Sequence, residues 1–291
     1  MGRIGQPLHW YGSKWRKAPW IISLTPPHTC FVELFAGSCS VLLAKEPSPV
    51  EVAVDIDGDV CNFFRVLRDA RRRNKLIEML ELTPYSREEL ESCLEIMASG
   101  RGGTIGRAWA FCVCCNSARD GKAERATDWS YSRTASSRGA RQGNRLDANK
   151  FPVMARNISV WDRLPAVIAA AGRRMRRVQI ECDAWERAFP RFDGAGTHTY
   201  ADPPYFPGTR VKPKAYRHEM SEQDHAGFLR AMLGAKGTVA VSGYSCELYE
   251  DMLSGWRRRT LETKALGGRR HRKEGRTECL WMNYDLAEAT C

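Results

Sequence analysis

Residues 199–206 read T-Y-A-D-P-P-Y-F, a short β-like run that ends in an acid, two prolines and two aromatic residues. The Asp202 carboxylate and the Pro203 carbonyl oxygen are hydrogen-bond acceptors, and prolines fix the backbone without adding competing N–H donors. Such acceptors suit methyl transfer to the exocyclic amine of a nucleobase, because holding its N–H bonds frees a nitrogen lone pair that is otherwise delocalised into the ring. Tyr205 suits stacking on a base that has left its duplex. The pattern predicts Asp202, Pro203 and Tyr205 as catalytic residues, and a proline-rich turn is the alternative.

A second pattern, E-L-F-A-G-S-C-S over residues 33–40, follows a candidate strand. Small residues in such a strand-to-helix turn let a nucleotide-like ligand approach the backbone. Asp55 ends the next strand, 18 residues after Gly37, where an acid commonly binds ribose hydroxyls. The chain has no G-x-G-x-x-G segment, so a ligand with a ribose and no phosphate fits better, and S-adenosylmethionine is one such ligand. The alternative is a turn between core elements, with Asp55 capping a helix at residues 57–61.

Both motifs need strands that end close together. The patterns predict strands over Cys30–Leu34, Glu51–Asp55, Val178–Cys182, Thr199–Ala201, Thr238–Ser242 and Glu278–Tyr284. They predict helices over Ser40–Lys45, Asn62–Leu82, Ser86–Met97, Thr104–Ser117, Val160–Arg173, Asp183–Ala188 and Ser221–Leu233. A strand, a turn, a helix and a second strand within about 30 residues open a βαβ unit. We therefore expect an α/β fold.

The strand-rich segments lie at the two ends of the chain. We expect residues 1–59 and 177–291 to form one catalytic α/β domain. Residues 60–176 are predicted as an inserted, mostly helical domain, in which the polar stretch 120–150 forms an extended loop or hairpin.

The order of these motifs resembles that of the Dam-type DNA N6-adenine methyltransferases of the alpha group, which run from a cofactor motif through a target-recognition insertion to D-P-P-Y. L-H-W-Y-G-S-K over residues 8–14 resembles the W-x-G-G-K segment of that family, and F-A-G-S-C-S over residues 35–40 resembles its F-x-G-x-G segment. Residues 239–244 and 276–284 resemble its late strands, especially those of phage-type members. Ser13 and Cys39 stand where the family has glycines.

The resemblance implies a Rossmann-like S-adenosylmethionine-dependent methyltransferase fold, whose last strands form an antiparallel hairpin. It implies methyl transfer from S-adenosylmethionine to N6 of a flipped adenine in double-stranded DNA, with no metal required. The target adenine would be handled by Asp202, Pro203 and Tyr205. The residues that would bind or enclose the cofactor are Trp10, Lys14, Phe35, Ala36, Gly37, Ser38, Asp55 and Asp202.

Positive charge is clustered along the chain, which has a formal net charge of +11. Residues 133–177 hold eleven Lys/Arg and two acids, and residues 257–276 hold nine Lys/Arg and two acids. Such clusters favour a polyanion as partner, with a solvated basic surface as the alternative. The predicted DNA-binding residues are the arginines of the polar loop, which alternate there with small residues, Trp129 and Tyr131: Arg119, Arg133, Arg138, Arg141 and Arg145.

The composition limits the class of protein. Hydrophobic residues make up 43% of the chain and charged residues 27%, which excludes wholesale disorder. No apolar stretch approaches the ~18 residues of a membrane span, and the start of the chain has no apolar signal-peptide core. The 11 cysteines are an odd number and are scattered among apolar residues, which favours reduced thiols. We therefore expect a cytoplasmic monomer, in a bacterial cell or a phage-infected host, without membrane or metal.

Two other functions stay open at this point. A methyltransferase acting on structured RNA or on cytosine N4 would use the same chemistry, although the D-P-P-Y acid and the motif order favour adenine. A DNA-binding protein that has kept the fold and lost turnover is supported by the Cys39 departure alone.

Overall fold

The chain forms two compact units in the computed structural model, which describes residues 4–118, 121, 126–131, 156–209, 217–263 and 276–285. We call Met1–Ser13 with Asn62–Arg176 the helical unit, and Lys14–Cys61 with Arg177–Cys291 the sheet unit. The domain limits expected from the sequence stay a prediction.

A sheet of seven strands forms the centre of the sheet unit. The strands are β1 (Cys30–Leu34), β2 (Val50–Asp55), β3 (Val178–Cys182), β4 (Thr197–Ala201), β5 (Thr238–Gly243), β6 (Arg257–Thr263) and β7 (Arg276–Met282). Their order across the sheet is β3-β2-β1-β4-β5-β7-β6. Neighbours from β3 to β5 are parallel, whereas β7 is antiparallel to both β5 and β6. The expected Rossmann-like α/β fold and its closing antiparallel hairpin are confirmed.

Ten α-helices lie in the described residues. They are α1 (Ala18–Ser23), α2 (Ser40–Ala44), α3 (Gly58–Arg68), α4 (Ala70–Glu81), α5 (Arg87–Ser99), α6 (Gly103–Ser117), α7 (Arg156–Met175), α8 (Trp185–Phe192), α9 (Glu222–Leu233) and α10 (Glu247–Met252). Helix α3 begins in the sheet unit and ends in the helical unit, which holds α4 to α7. The other helices belong to the sheet unit.

The core of the sheet unit lies on the central parallel strands, whose β-branched residues are buried. Val32 of β1, Val52 of β2 and Val239 of β5 are at most 1% exposed, as expected for parallel strands that are covered on both faces. Helix α9 starts with a capping box between Ser221 and Asp224 and packs Phe228 onto this core.

One helix prediction is wrong, and strand β6 and helices α1 and α10 were not predicted. The single helix expected over Asn62–Leu82 is divided into α3 and α4 at Asp69, whose carboxylate accepts from the Arg72 N–H and caps α4. Strand β6 was not predicted, because its first three residues are arginines. It is the last strand of the sheet, and an edge strand tolerates charged side chains that an inner strand excludes.

Candidate active site

Three segments with predicted site residues lie together at the carboxyl ends of neighbouring strands. The last residue of β1, Leu34, pairs with Val54 of β2 on one side and Ala201 of β4 on the other. Because the three strands are parallel, the turn after β1, Asp55 and Asp202 all lie at their carboxyl ends. The chain leaves β1 for β2 on one side and later returns to β4 on the other, which makes this a topological switch point. Open α/β sheets bind ligands in the crevice at such a point.

The turn after β1 has an unusual backbone. The φ angles of Phe35, Gly37 and Cys39 are 55°, 47° and 50°, all in the left-handed region. Glycine adopts this conformation freely, whereas an L side chain pays about 1–2 kcal/mol. Cys39 directly precedes α2, and its side chain is fully buried. Backbone conformation therefore explains why a glycine is favoured at this place and why Cys39 carries strain there.

Asp55 ties this turn to the start of α3. Its carboxylate oxygens accept from the Gly37 N–H at 2.7 Å and from the Asp57 N–H at 2.8 Å. Burial raises the pKa of Asp55 to about 6, although both N–H donors oppose that shift. Asp55 thus has the capping contact that the sequence left as an alternative, and it also lies at the predicted ribose position.

Glu33 is a buried acid of β1 for which the sequence suggested no role. Its carboxylate accepts from the Val41 N–H at 3.3 Å and the Leu42 N–H at 2.7 Å, and so caps α2 from the neighbouring strand. Burial raises the pKa of Glu33 to about 8, and the two N–H donors oppose this. Glu33 therefore fixes where α2 begins relative to β1.

Asp202 lies directly after β4 between two donors. Lys14 Nζ donates to Oδ2 at 2.6 Å, and Ser242 Oγ donates to Oδ1 at 2.7 Å. The Ser242 hydroxyl is also 3.0 Å from the Tyr200 hydroxyl. Burial raises the pKa of Asp202, and the Lys14 ammonium opposes this shift most strongly. The Asp202 side chain is 19% exposed, so the carboxylate is oriented by its partners and still accessible.

Tyr205 is held from two directions. Its hydroxyl donates to Glu278 of β7, and its ring centroid lies 4.7 Å from Lys14 Nζ and 4.6 Å from the centroid of the Tyr244 ring. Burial and the charge of Glu278 raise the pKa of Tyr205 well above its ordinary value, so the hydroxyl keeps the proton that it donates. The ring is 6% exposed, and its predicted stacking on a base stays a prediction.

Glu278 also binds a second lysine, Lys17, which precedes α1. Burial lowers the pKa of Lys17, and Glu278 opposes that shift. Lys14 Nζ lies 3.8 Å from the same carboxylate. Two lysines and two carboxylates therefore form one cluster, which we call the Lys–carboxylate cluster: Lys14, Lys17, Asp202 and Glu278.

The other predicted cofactor residues have different surroundings. The Phe35 ring packs edge-on against Phe228 at 5.5 Å. The Ala36 N–H donates to the Val54 carbonyl at 2.9 Å, and the Ser38 hydroxyl lies 2.8 Å from that of Ser40. Trp10 belongs to the helical unit, where its ring is 5.8 Å from Phe111. The roles of these residues toward a cofactor stay predictions.

All five predicted DNA-binding arginines, Arg119, Arg133, Arg138, Arg141 and Arg145, lie outside the described residues. The two aromatic residues expected among them are described. Trp129 and Tyr131 stack with ring centroids 5.6 Å apart, and the Arg87 guanidinium lies 5.0 Å from the Trp129 centroid.

Several residues at the carboxyl ends of these strands were not predicted from the sequence. Ser242 and Glu278 lie within predicted strands, and Lys17 follows a motif that ends at Lys14. The one available signal was Glu278, an acid in the otherwise apolar run E-C-L-W-M, since a buried charge in a strand needs partners. Arg217, which follows the D-P-P-Y segment, also escaped notice and binds Asp59 at 2.7 Å beside Asp55.

Within the described ranges, no group of three or more His, Cys, Asp or Glu side chains is arranged to hold a metal ion. No helix in those ranges combines the length and apolar character that a membrane crossing needs.

Comparison with known proteins agrees with the geometry at the carboxyl ends of the strands. The family model of the D12 class N6 adenine-specific DNA methyltransferases matches residues 10–266, which include β1 to β6 and the turns that hold Asp55 and Asp202. Among curated proteins, no match was found. The family match covers most of the chain, and the chain therefore belongs to the D12 class of N6 adenine-specific DNA methyltransferases.

Proposed function

We propose that this DNA adenine methyltransferase transfers the methyl group of S-adenosylmethionine to N6 of an adenine that has been turned out of a DNA duplex. The observation that carries the proposal is the position of Asp202 at the switch point of the sheet, where Lys14 and Ser242 orient its carboxylate. The proposal goes beyond family membership in naming the cofactor, the flipped base and the duplex substrate.

The residues at the carboxyl end of β2 fit S-adenosylmethionine. Asp55 offers a half-buried carboxylate at the end of the strand next to the turn of residues 35–39, as ribose hydroxyls require. The turn presents small side chains and no cation, which suits a ligand without phosphate. When bound, the cofactor supplies a methyl group on a sulfonium, which is already activated for transfer.

Asp202 and Pro203 then provide acceptors for the adenine amine. A carboxylate has about four lone-pair sites, and the described residues give Asp202 two donors, Lys14 and Ser242. The remaining sites are available for an N–H of the amine. Pro203 is followed by another proline, so its carbonyl oxygen is not next to a competing N–H donor. The raised pKa of Asp202 also makes Oδ1 and Oδ2 better acceptors for the proton that N6 must lose.

The helical unit has a surface that suits DNA phosphates. The first turn of α4 contains Arg71, Arg72 and Arg73, although cations at a helix N-terminus oppose the helix dipole. The Arg73 guanidinium donates to the Leu67 carbonyl, and Gly172 of α7 packs against both residues. This packing brings the end of α7 to the junction of α3 and α4. We call the exposed cations there the basic corner: Arg65, Arg68, Arg71, Arg72, Arg173 and Arg176.

Helix α5 of the same unit has the opposite charge. Its exposed side chains include Glu88, Glu91 and Glu95. Because the charges are segregated, a polyanion is favoured at the basic corner and disfavoured at α5. This asymmetry favours contact between DNA phosphates and the basic corner. The net charge of the chain alone would not favour one surface of the helical unit over another.

The reaction is tested by incubating the full chain with labelled S-adenosylmethionine and unmethylated genomic duplex DNA, and separating the product nucleosides by mass spectrometry. N6-methyladenine is the expected product. N4-methylcytosine, methylation of structured RNA in preference to DNA, or no transfer would overturn the proposal.

The proposed DNA-binding surface is tested with two triple variants that change the net charge by three units in opposite directions. Arg71→Gln/Arg72→Gln/Arg176→Gln should weaken DNA binding and reduce the slope of log K against log salt by about 2–3, since each lost phosphate contact removes about 0.9. Glu88→Gln/Glu91→Gln/Glu95→Gln should leave affinity and slope unchanged. Equal and opposite effects of the two variants would show that net charge, and not the basic corner, governs binding.

A further inference from the structure

Glu278 is a fully buried carboxylate in the last strand of the sheet. One oxygen accepts from the Tyr205 hydroxyl and the other from Lys17 Nζ, while Lys14 Nζ lies 3.8 Å away. The negative charge of Glu278 raises the pKa of the Asp202 carboxyl directly, and Glu278 also acts on that carboxyl through Lys14, which bonds it.

We propose that Glu278 is a positioning residue for methyl transfer, which holds Lys14 and Tyr205 so that Asp202 keeps acceptor sites for the adenine amine. The inference rests on the proposed function. It assigns a role in the reaction to a strand residue that lies beyond the end of the family match at residue 266.

The register of the sheet places Glu278 beside the site. In the antiparallel pair of β5 and β7, Ser242 is opposite Leu280 and Gly243 is opposite Cys279. Glu278 is the next residue of β7 and therefore lies at the carboxyl end of β5, close to the residue that orients Asp202. A residue two positions earlier or later would be displaced by about 7 Å along the strand.

Lys14 is the group that couples the two carboxylates. Its ammonium bonds Asp202 Oδ2 at 2.6 Å and lies over the Tyr205 ring while remaining near Glu278. With Glu278 neutral, the ammonium loses the attraction of that carboxylate and is drawn more fully onto Asp202, where it competes with the substrate amine. The Tyr205 hydroxyl would at the same time lose its charged acceptor, and the ring would lose the bond that fixes its orientation.

Stability alone does not account for the cluster. Charged groups that are taken out of water pay a desolvation cost, which apolar residues of similar volume avoid. Lys14 and Glu278 are 4% and 0% exposed, and burial lowers the pKa of Lys17 despite its bond to Glu278. Burial of such a cluster is therefore weak evidence for a role in stability, and its position beside Asp202 is what points to an orienting role.

The chain contains a matched control for this inference. Glu51 is 1% exposed and bonds Lys45 Nζ at 2.9 Å, and it lies near the start of β2, at the amino end of the same sheet. Glu51→Gln and Glu278→Gln each neutralise one buried glutamate that is bonded to a lysine. If Glu278 serves stability only, the two variants should behave alike.

The experiment measures the melting temperature, the dissociation constant for S-adenosylmethionine, and kcat and KM for transfer to duplex DNA. Glu278→Gln should lower kcat by about 10–100-fold, the scale of a small misplacement of reacting groups, with KM for the cofactor changed less than about threefold. Glu51→Gln should lose a similar amount of thermal stability and keep its kcat. A kcat of Glu278→Gln within about twofold of the wild type, or equal losses of kcat in both variants, would overturn the inference.

A second variant covers the case in which Glu278→Gln does not fold. Tyr205→Phe keeps the ring and removes only the hydroxyl that Glu278 holds, and it should lower kcat several-fold with little change in melting temperature. A kcat equal to that of the wild type would overturn the inference. Wild-type protein that transfers no methyl group to any substrate would instead overturn the proposed function.

Discussion

The two ends of the parallel sheet each bury a lysine beside a carboxylate, and the two pairs differ in what surrounds them. At the amino end, Lys45 Nζ donates to Glu51 at 2.9 Å, to the Ser48 hydroxyl at 2.6 Å and to the Glu46 carbonyl at 2.7 Å. The three donors of the ammonium thus meet three acceptors, and Glu51 is 1% exposed. Lys45 Nζ also lies 4.6 Å from the centroid of the Phe31 ring, so this ammonium is surrounded by protein groups.

At the carboxyl end, the pair between Lys14 and Asp202 is incomplete. Asp202 receives one donor on each oxygen and its side chain is 19% exposed. The same type of ion pair therefore holds the fold together at one end and leaves an oriented, unsaturated acceptor at the other. Free acceptor capacity, rather than burial or a lysine partner, therefore distinguishes the proposed catalytic carboxylate Asp202 from Glu51.

The largest expected effect is at Asp202. Asp202→Asn removes the charge that accepts the amine protons, and we expect transfer to fall by about 10²–10³-fold. The free energy of unfolding should change by less than about 1 kcal/mol, because Lys14 keeps Glu278 as a partner and burial already disfavours the Asp202 charge. Single-turnover transfer and urea unfolding measure the two quantities. Undiminished transfer would remove Asp202 from the mechanism.

The matching change at the amino end is Glu51→Gln. It should lower the free energy of unfolding by about 2 kcal/mol, since Lys45 loses a bond to a charged partner in a buried place. The transfer rate of the folded protein should not change. A loss of transfer that exceeds the loss of folded protein would show that the amino end also shapes the site, which would break the comparison.

Asp55 gives a pH-dependent test at the carboxyl end. Its pKa of about 6 in the free protein means that the carboxyl is largely protonated at pH 5 and ionised at pH 7. A ribose hydroxyl donates to the ionised form, so binding of S-adenosylmethionine should release a proton and strengthen about tenfold from pH 5 to pH 7. Calorimetric titration at both pH values measures this change.

The control for this test is Asp55→Asn, which should bind the cofactor more weakly and with little dependence on pH over the same range. An equally steep dependence in the variant would assign the titration to another group.

The smallest expected effect concerns Cys39 and its left-handed backbone. Cys39→Gly and Cys39→Ala both remove the buried thiol, but only glycine adopts a φ of 50° without strain. The glycine variant should therefore be more stable than the alanine variant by about 1 kcal/mol, measured by urea unfolding. The reverse order would mean that the backbone at this turn relaxes when the thiol is absent.

Local sequence patterns predicted the parts of the fold in which local and tertiary requirements agree. The strands Cys30–Leu34 and Val178–Cys182 were predicted to the residue, because both contain apolar or β-branched residues between turns. The first strand is buried along most of its length, whereas only Val178 is buried in the second. Ser86 was predicted as an N-cap, and its hydroxyl accepts from the Glu89 N–H at 3.2 Å. The cap depends only on neighbours in the chain, and the local pattern of the strands agrees with their pairing in the sheet.

The failures have two different causes. Strand β6 begins with three arginines and exists because β7 offers a pairing partner at the edge of the sheet. The division between α3 and α4 depends on one side chain, Asp69, in an otherwise continuous helical pattern. Tertiary strand pairing overrides the local pattern in the first case, and a local capping contact interrupts the helical periodicity in the second.

Residue types at short spacing along strands and turns were enough to predict the fold class, the order of the motifs and the strand-end positions of Asp55 and Asp202. The groups that hold Asp202 could not be predicted in this way, because Lys14, Ser242 and Glu278 are separated by up to 264 positions in the chain and meet through strand register. The pKa of each carboxyl and the number of acceptor sites left on it also depend on burial and on the donors around it, which no local sequence pattern encodes.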